Sequence, residues 1–184
     1  LVLSDFNLKT KYYTISDSFT NHYNSGVLAA EINYRAKINN ITFNNITVDN
    51  SRGLDFGCVA GYVDRSSGSS TSLYNISANN INIKTTSTSI HDSDSYTTTP
   101  SGGTTIPEGS ATGIIVGYAK ISVNKSPSYG GTSYGTLSLY TVRVSGSSIT
   151  YSDYDNSANS GVRLEAATGY IGGLVGCVES ELDS

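Results

Sequence analysis

The chain has 184 residues, of which 14% are charged, and its formal net charge is -4 at pH 7. The charged fraction is well below the roughly 25% of ordinary soluble domains, and Ser, Thr, Asn, Gly and Tyr are abundant instead. The 11 Lys and Arg residues form no basic stripe that would neutralise phosphates, so we expect no nucleic-acid partner. No run of about 18 apolar residues is present, so no membrane span is predicted.

A short glycine-containing pattern recurs four times. Each copy has a glycine, two or three apolar residues, a small residue and further apolar residues, and the copies begin at Gly26, Gly57, Gly113 and Gly172. Such segments are typical of buried strands whose glycines let a neighbouring backbone come close. The recurrence predicts one domain over residues 1–184, built from similar units that bury their apolar faces against each other.

The first predicted unit, residues 1–32, begins inside the pattern. Its Phe6 and Leu8 correspond to Ile81 and Ile83 of a later segment. Because the chain opens without an initiator Met or a leader, we expect it to be part of a longer or processed protein. Unpaired strand edges at the two ends of the stack predict contact with neighbouring repeats or with a second copy.

The second predicted unit, residues 34–64, contains two similar pentads. Asn-Asn-Ile-Thr-Phe occupies residues 39–43, and Asn-Asn-Ile-Thr-Val occupies residues 44–48. The alternation of apolar residues favours strands over helix. Asn tolerates a left-handed backbone, so the Asn pairs predict tight corners between three-residue strands.

Two polar excursions are predicted to be surface loops. The first, residues 85–111, lies within the third predicted unit, residues 73–120, and the second, residues 124–136, lies between that unit and the fourth, residues 137–179. The corner at residues 145–148 is predicted to be two residues longer than its counterpart in the second unit.

Tyrosine is the main candidate for a binding residue, with fourteen copies in the chain. Its ring and hydroxyl suit sugar stacking and protein contacts, although many tyrosines simply cover sheet surfaces. Tyr96, Tyr129 and Tyr134 lie in the two excursions and are the predicted ligand contacts.

The segment Gly173-Leu174-Val175-Gly176 resembles the GLUG motif, a short repeat of bacterial and protist cell-surface proteins, many of them adhesins. The copy at Val59-Ala60-Gly61 lacks the leucine, and the copy beginning at Gly26 lacks the second glycine. The resemblance implies an all-β, right-handed parallel β-solenoid (β-helix) of about four degenerate repeats with two long loop insertions. It also implies an extracellular or cell-surface location, and it carries no catalytic residue.

Four sequons predict possible N-glycosylation if the chain enters a eukaryotic secretory pathway, although an Asn-, Ser- and Thr-rich chain also forms sequons by chance. Their asparagines are Asn40, Asn45, Asn75 and Asn124. Cys58 and Cys177 fall in different units, so we expect two buried thiols and no disulfide.

Charged residues near the second glycine segment leave a catalytic alternative open. Asp55 and Asp64, with Arg52 and Arg65, would suit a polysaccharide-cleaving groove if they converged, or would form structural ion pairs at strand ends. The segment 91–94, which contains one His and two Asp residues, is interpreted as a solvated loop, and no metal or cofactor is predicted.

The sequence therefore predicts a non-catalytic extracellular structural or adhesive protein that self-assembles end to end into a fibre. Its expected partners are further copies or repeats of itself and cell-surface glycans. The alternative is a carbohydrate-binding or carbohydrate-cleaving β-helix protein.

Overall fold

The computed structural model describes residues 1–10, 24–33, 35–50, 55–65, 70–86, 111–126, 131–152 and 170–182. These residues form fourteen strands and no helix, so the described part of the chain is all-β. The strands are β1 (Val2–Lys9), β2 (Asn24–Gly26), β3 (Ala29–Ile32), β4 (Ala36–Asn50), β5 (Asp55–Gly57), β6 (Ala60–Arg65), β7 (Ser70–Thr86), β8 (Ala111–Gly113), β9 (Val116–Ser126), β10 (Gly131–Tyr134), β11 (Thr136–Ser145), β12 (Ser148–Ser152), β13 (Tyr170–Gly172) and β14 (Val175–Leu182). No helix that would be long and apolar enough to cross a bilayer occurs in these ranges.

The strands form three sheets that follow chain order. Sheet A contains β1, β4 and β7, followed by β11 and β12; sheet B contains β2, β5, β8 and β13; and sheet C contains β3, β6, β9 and β14. All of these neighbours pair in parallel, and β10 is an antiparallel addition to β9. We call β1–β3 layer 1, β4–β6 layer 2, β7–β9 layer 3 and β11–β14 layer 4. Stacked parallel layers of this kind are consistent with a β-solenoid.

Sheet A bends at residues with a left-handed backbone. The asparagines with positive φ are Asn40, Asn45, Asn75 and Asn80, with φ between 51° and 55°. The left-handed backbone predicted for such pairs is present, but the prediction of separate three-residue strands is wrong, because β4 continues over fifteen residues. The left-handed residue Asn45 shifts the inward-outward alternation of side chains by one position. Phe43 and Ile46 therefore both face the core, although they are three residues apart, and pairing to β7 continues on both sides of the bend.

The bend in layer 4 has the same length as that in layer 3. Residues 145–148 align with residues 79–82, and Gly146 takes a left-handed position with φ 55°. The predicted two-residue extension is therefore wrong. Ile149, which follows this bend, pairs with Ile83.

The chain passes from sheet B to sheet C through the recurring glycine pattern. Gly61, Gly117 and Gly176 occupy one register column across layers 2 to 4. A Cβ atom on Gly117 would lie 2.5 Å from the carbonyl oxygen of Gly61 and 2.6 Å from the backbone nitrogen of Phe56. The three glycines therefore occupy equivalent positions, and sheets B and C approach too closely at Gly117 for a side chain.

The apolar core runs through the stack. The largest fully buried side chains all belong to layers 2 and 3, and they are Phe43, Ile46, Val48, Phe56, Val59, Val63, Leu73, Ile76, Ile81, Ile83 and Ile115. Inward-facing residues of the outer layers, such as Leu3 and Val144, are only partly buried. A residue in layer 1 or layer 4 is less covered because another described layer lies on one side of it only.

A chain of hydrogen bonds between buried polar side chains crosses layers 1 to 3. Thr10 Oγ1 donates to Asn50 Oδ1, and Asn50 Nδ2 donates to Thr85 Oγ1, each over 3.1 Å. The hydroxyls of Thr85 and Thr112 share a further bond of 3.1 Å. All four side chains are buried, so the bonds satisfy polar groups that water does not reach. The last bond joins sheet A to sheet B.

The two predicted surface excursions need correction at their ends. Thr85 and Ala111 are buried parts of β7 and β8, and the intervening residues 87–110 lie outside the described ranges. In the second excursion, the end of β9 pairs antiparallel with β10, so that part is a hairpin extension. The sequence of this hairpin is polar, so it resembled a loop.

No disulfide joins Cys58 and Cys177, as predicted. Cys58 is fully buried in layer 2, but Cys177 is only half-buried, so the prediction of two buried thiols is wrong for Cys177. Its strand, β14, lies in the outermost described layer on that side, which leaves part of its surface uncovered.

Candidate functional site

Side chains on the outer face of sheet A form hydrogen-bonded columns across the layers. Asn75 Nδ2 donates to Asn40 Oδ1 over 2.8 Å. In a second column, five residues further along, Asn80 Nδ2 donates to Asn45 Oδ1 over 2.9 Å, and Asn45 Nδ2 donates to Asp5 Oδ1 over 2.8 Å. Each such bond contributes roughly 0.5–1.5 kcal/mol. The columns therefore favour a single register between layers.

The bonds within these columns have one direction. In each bond between layers, the donor belongs to the later layer and the acceptor to the earlier one. Layer 4 continues this rule, because Ser145 Oγ donates to Asn79 Oδ1 and Ser148 Oγ donates to Asn82 Oδ1. The column through Asn45 ends in layer 1 at Asp5, and the bond from Asn45 lowers the pKa of that carboxyl group. The stack therefore has chemically different ends.

Two exposed tyrosines lie side by side on the same face. Tyr140 of β11 is in register with Tyr74 of β7, and the side chains are 56% and 55% exposed. The same column holds the neutral Asn39 in layer 2. An exposed aromatic pair among amide and hydroxyl groups is chemically suited to stacking on sugar rings. Both tyrosines directly precede a left-handed position, at Asn75 and Thr141, but a left-handed threonine has no sequence signal, so the sequence did not reveal the pair.

The predicted ligand contacts fall elsewhere. Tyr96 and Tyr129 lie outside the described residues. Tyr134 lies in β10, opposite Val123 of β9. Their role in binding remains a prediction, and the described residues add Tyr74 and Tyr140 as a separate candidate.

Three of the four sequon asparagines lie on the outer face of sheet A. Asn40, Asn45 and Asn75 are exposed, and Asn124 lies in β9 opposite Ser133. Asn40 and Asn75 occupy successive layers, so glycans on both would be attached about one strand spacing apart, roughly 4.8 Å. Their amide groups already bond within the columns, which gives these residues a structural role. Glycosylation itself remains a prediction.

The carboxylates of the catalytic alternative occupy different environments. Asp55 is 3% exposed, and its Oδ1 accepts a 2.7 Å hydrogen bond from the backbone N–H of Ala111. Asp64 is half-buried in sheet C, in register with Lys120. Arg52 lies outside the described residues, and Arg65 ends β6. Asp55 begins β5, so it lies at a strand end as expected, and it is buried there and bonds to the first residue of β8.

No group of three His, Cys, Asp or Glu side chains that could hold a metal ion occurs in the described ranges. The segment 91–94, with its His and two Asp residues, lies outside those ranges.

A second, smaller cluster of buried aromatic residues lies apart from the main core. The rings of Tyr62 and Tyr118 are stacked, with centroids 5.6 Å apart and planes at 20°. Ala111, Tyr170 and Cys177 complete this cluster between sheets B and C. Sequence reasoning missed it because both tyrosines alternate with residues of the main core along their strands. Their burial gives them a packing role.

Both ends of the described stack expose apolar side chains. In layer 4, Ile171 is 45% exposed, Leu174 is 38% exposed and Val178 is 58% exposed. In layer 1, Leu1, which aligns with the buried Ile41, is 66% exposed, whereas Val2, which is 63% exposed, lies on the outer face of sheet A. Among the described strands, those of layers 1 and 4 pair within sheets A and B on one side only.

An open groove of about 750 Å³ lies at the layer 4 end. It extends from β11 to the bend between β13 and β14, and it is lined by Ser77, Asn79, Val142, Arg143, Val144, Ser145, Gly173 and Leu174. The groove combines apolar core positions with polar groups of the outer face. Such a surface suits a polypeptide strand edge with side chains on both faces.

Comparison of the chain with protein-family models, curated proteins and solved structures finds no match. The functional interpretation therefore depends on this chain's own residues. Within the segment that resembles the GLUG motif, a Cβ atom on Gly176 would lie 2.7 Å from the backbone of Thr112, whereas one on Gly173 would meet nothing within 4 Å. A side chain therefore does not fit at Gly176, whereas Gly173 has room for one.

Proposed function

We propose that this protein is a non-catalytic structural or adhesive protein of the cell surface or extracellular space. Its layers form a right-handed β-solenoid of about four degenerate repeats with two long insertions, and it assembles end to end. Parallel strands joined by a crossover are right-handed in about 98% of cases, which supports this handedness. The apolar exposure at both ends of the stack is the observation that carries the proposal.

The cost of leaving these ends uncovered supports assembly. Several columns that are buried in layers 2 and 3 become partly exposed in layers 1 and 4, as at Leu3 and Val144, although Ile32 of layer 1 stays buried. Covering apolar surface contributes about 25 cal/mol for each Å² removed from water. At the same ends, strand edges that pair with no other described strand add backbone groups that favour pairing with another chain. A second copy supplies both an apolar surface and a strand edge.

The surface chemistry supports an extracellular structural or adhesive role. The outer face of sheet A consists largely of amide and hydroxyl side chains, and its regular columns make it rigid. The resemblance to the GLUG motif and the four sequons agree with such a location.

Sedimentation of the wild-type protein over a wide concentration range tests this function. We expect the sedimentation coefficient to rise with concentration, and the Val178→Lys variant to remain monomeric. Val178 is 58% exposed, so the monomer tolerates the lysine while an end contact would bury its charge. Tyr140→Lys adds the same charge on the outer face of the same layer and should assemble normally. A wild-type protein that stays monomeric at all concentrations would contradict the proposal.

A second candidate function is carbohydrate binding through Tyr74 and Tyr140. Titration with a panel of neutral and acidic polysaccharides should detect binding that Tyr140→Ala weakens at least tenfold. Release of shortened sugars in the same assay would indicate the carbohydrate-cleaving alternative. Equal binding by the wild type and Tyr140→Ala would exclude the tyrosine pair as the contact.

A further inference from the structure

The geometry points to head-to-tail stacking, in which layer 1 of one copy lies on layer 4 of the next in the register that relates consecutive layers. This inference deepens the end-to-end assembly proposed above and rests on it. It commits the exposed ends to one occupant, a second copy of this chain in a single orientation.

The first argument is the direction of the hydrogen-bonded columns. On the outer face of sheet A, every side-chain to side-chain bond between layers runs from a donor in the later layer to an acceptor in the earlier one. Head-to-tail stacking continues this rule across the contact. Asn7 occupies the same column as Ser148, so Asn7 Nδ2 of the second copy would donate to Ser148 Oγ of the first. If two like ends met instead, the donor-to-acceptor direction of these bonds would be opposite in the two copies.

The second argument is the continuity of the apolar columns. Leu3 and Val144 are the two ends of one column, and Leu8 and Ile149 are the two ends of another. In both columns the residues of layers 2 and 3 face inward and are buried. Stacking in register places each layer 1 residue on the layer 4 residue of its own column. The contact between copies then repeats the contact between successive layers within the molecule.

One apolar column is interrupted, and its polar member already has hydrogen-bond partners. The column of Phe6 and Ile81 ends in layer 4 at Ser147. Ser147 Oγ accepts the backbone N–H of Ile81 over 3.0 Å and donates to the carbonyl oxygen of Ser145 over 3.0 Å. Phe6 of a second copy would therefore cover a hydroxyl that is satisfied within its own chain. Such burial avoids the cost of an unpaired polar group.

Charge does not oppose this register. Asp5 falls in the column of Gly146, which has no side chain. Lys9 belongs to the column that ends in layer 4 at Thr150, so across the contact Lys9 would lie on Thr150. The other lysine of this column, Lys84 in layer 3, would be two layers away from it. Lys9 already forms a 3.2 Å ion pair with Asp49 in its own copy. No like charges of these two columns meet at the contact.

Disulfide cross-linking between singly substituted proteins tests the register. Val2 and Arg143 lie at opposite ends of one outward-facing column. Within one copy they are three layer spacings apart, roughly 14 Å, whereas a disulfide needs Cα atoms within about 7 Å. Across the proposed contact they are neighbours. In a Cys177→Ser background, a mixture of Val2→Cys and Arg143→Cys should therefore give a mixed disulfide dimer on mild oxidation, and neither protein alone should dimerise covalently.

Val2→Cys mixed with Thr150→Cys provides the control, because these positions belong to distant columns, and it should give at least tenfold less mixed dimer. A covalent homodimer of either single variant would overturn the head-to-tail orientation. Association by sedimentation without the mixed disulfide would overturn the register and leave the proposed function intact. Absence of any association would overturn both.

Discussion

Asn75 donates a side-chain hydrogen bond to Asn40 over 2.8 Å, and both residues have the left-handed backbone at which sheet A bends. One residue type thus provides two properties at each bend. Its backbone adopts a conformation that costs other L-residues roughly 1–2 kcal/mol, and its amide group fixes the neighbouring layer. The bend and the register of the stack therefore depend on the same side chains.

Replacement of Asn75 separates these two contributions. We expect Asn75→Ala to lower the free energy of unfolding by about 1–3 kcal/mol, because it loses the bond to Asn40 and strains the left-handed backbone. Asn75→Gly loses only the bond and should cost less than the alanine variant. Urea denaturation of the three proteins provides the measurement. A glycine variant that is less stable than the alanine variant would contradict the role of the backbone conformation.

The two glycine types within the recurring segment should respond differently to alanine. A Cβ atom on Gly117 would meet backbone atoms of three residues at 2.5–2.8 Å, whereas one on Gly173 would meet nothing within 4 Å. We therefore expect Gly117→Ala to lower the free energy of unfolding by about 3 kcal/mol, the upper end of the cost of ordinary overpacking. Gly173→Ala should change the free energy of unfolding by less than about 0.5 kcal/mol. Thermal unfolding of both variants decides the point. Similar melting temperatures would mean that sheets B and C are not closely packed at Gly117.

The sequence allowed prediction of the strands, the glycine columns and the left-handed asparagines, because each depends on local chemistry or on a repeat. Phe6 and Leu8 do align with Ile81 and Ile83, as their pattern indicated. Burial was harder to predict, because it depends on which strands become neighbours. Asp55 was interpreted as a groove carboxylate or an ion-pair member at a strand end, yet it is buried and its partner Ala111 is 56 residues away in sequence.

The candidate surfaces were less accessible to sequence reasoning. Tyr74 and Tyr140 are 66 positions apart, and only the pairing of β7 with β11 brings them side by side. Thr85 looked like the start of a polar loop, because nothing local signals that Asn50 and Thr112 lie beside it. A pattern that depends on the alignment of layers becomes visible only when the register is known.

The buried polar chain should make Thr85 sensitive to loss of its hydroxyl. Thr85→Val keeps the shape but leaves the amide of Asn50 without that acceptor, so we expect a loss of about 1–3 kcal/mol in the free energy of unfolding. Thr47→Val makes the same change at an exposed position of sheet A and should alter stability by less than about 0.5 kcal/mol. Equal effects in denaturant titrations would show that the buried bonds add no stability.

Cys58 should make stability depend on pH under alkaline conditions. Burial raises the pKa of its thiol from 9.0 to about 12. The unfolded chain therefore releases this proton at a lower pH than the folded chain, and the free energy of unfolding should fall as the pH rises from 9 towards 12. The slope contributed by one such group approaches about 1.4 kcal/mol per pH unit. Cys58→Ala should show a shallower slope, and identical slopes would contradict the burial of this thiol.

The repeat distance of the assembled protein tests the central claim most directly. Four layers at a strand spacing of about 4.8 Å predict that each copy adds roughly 19 Å along the axis of a head-to-tail stack. Electron cryomicroscopy of the concentrated protein should show filaments with this axial rise and with strands perpendicular to the axis. Filaments with an unrelated rise, or compact single particles at every concentration, would contradict the account.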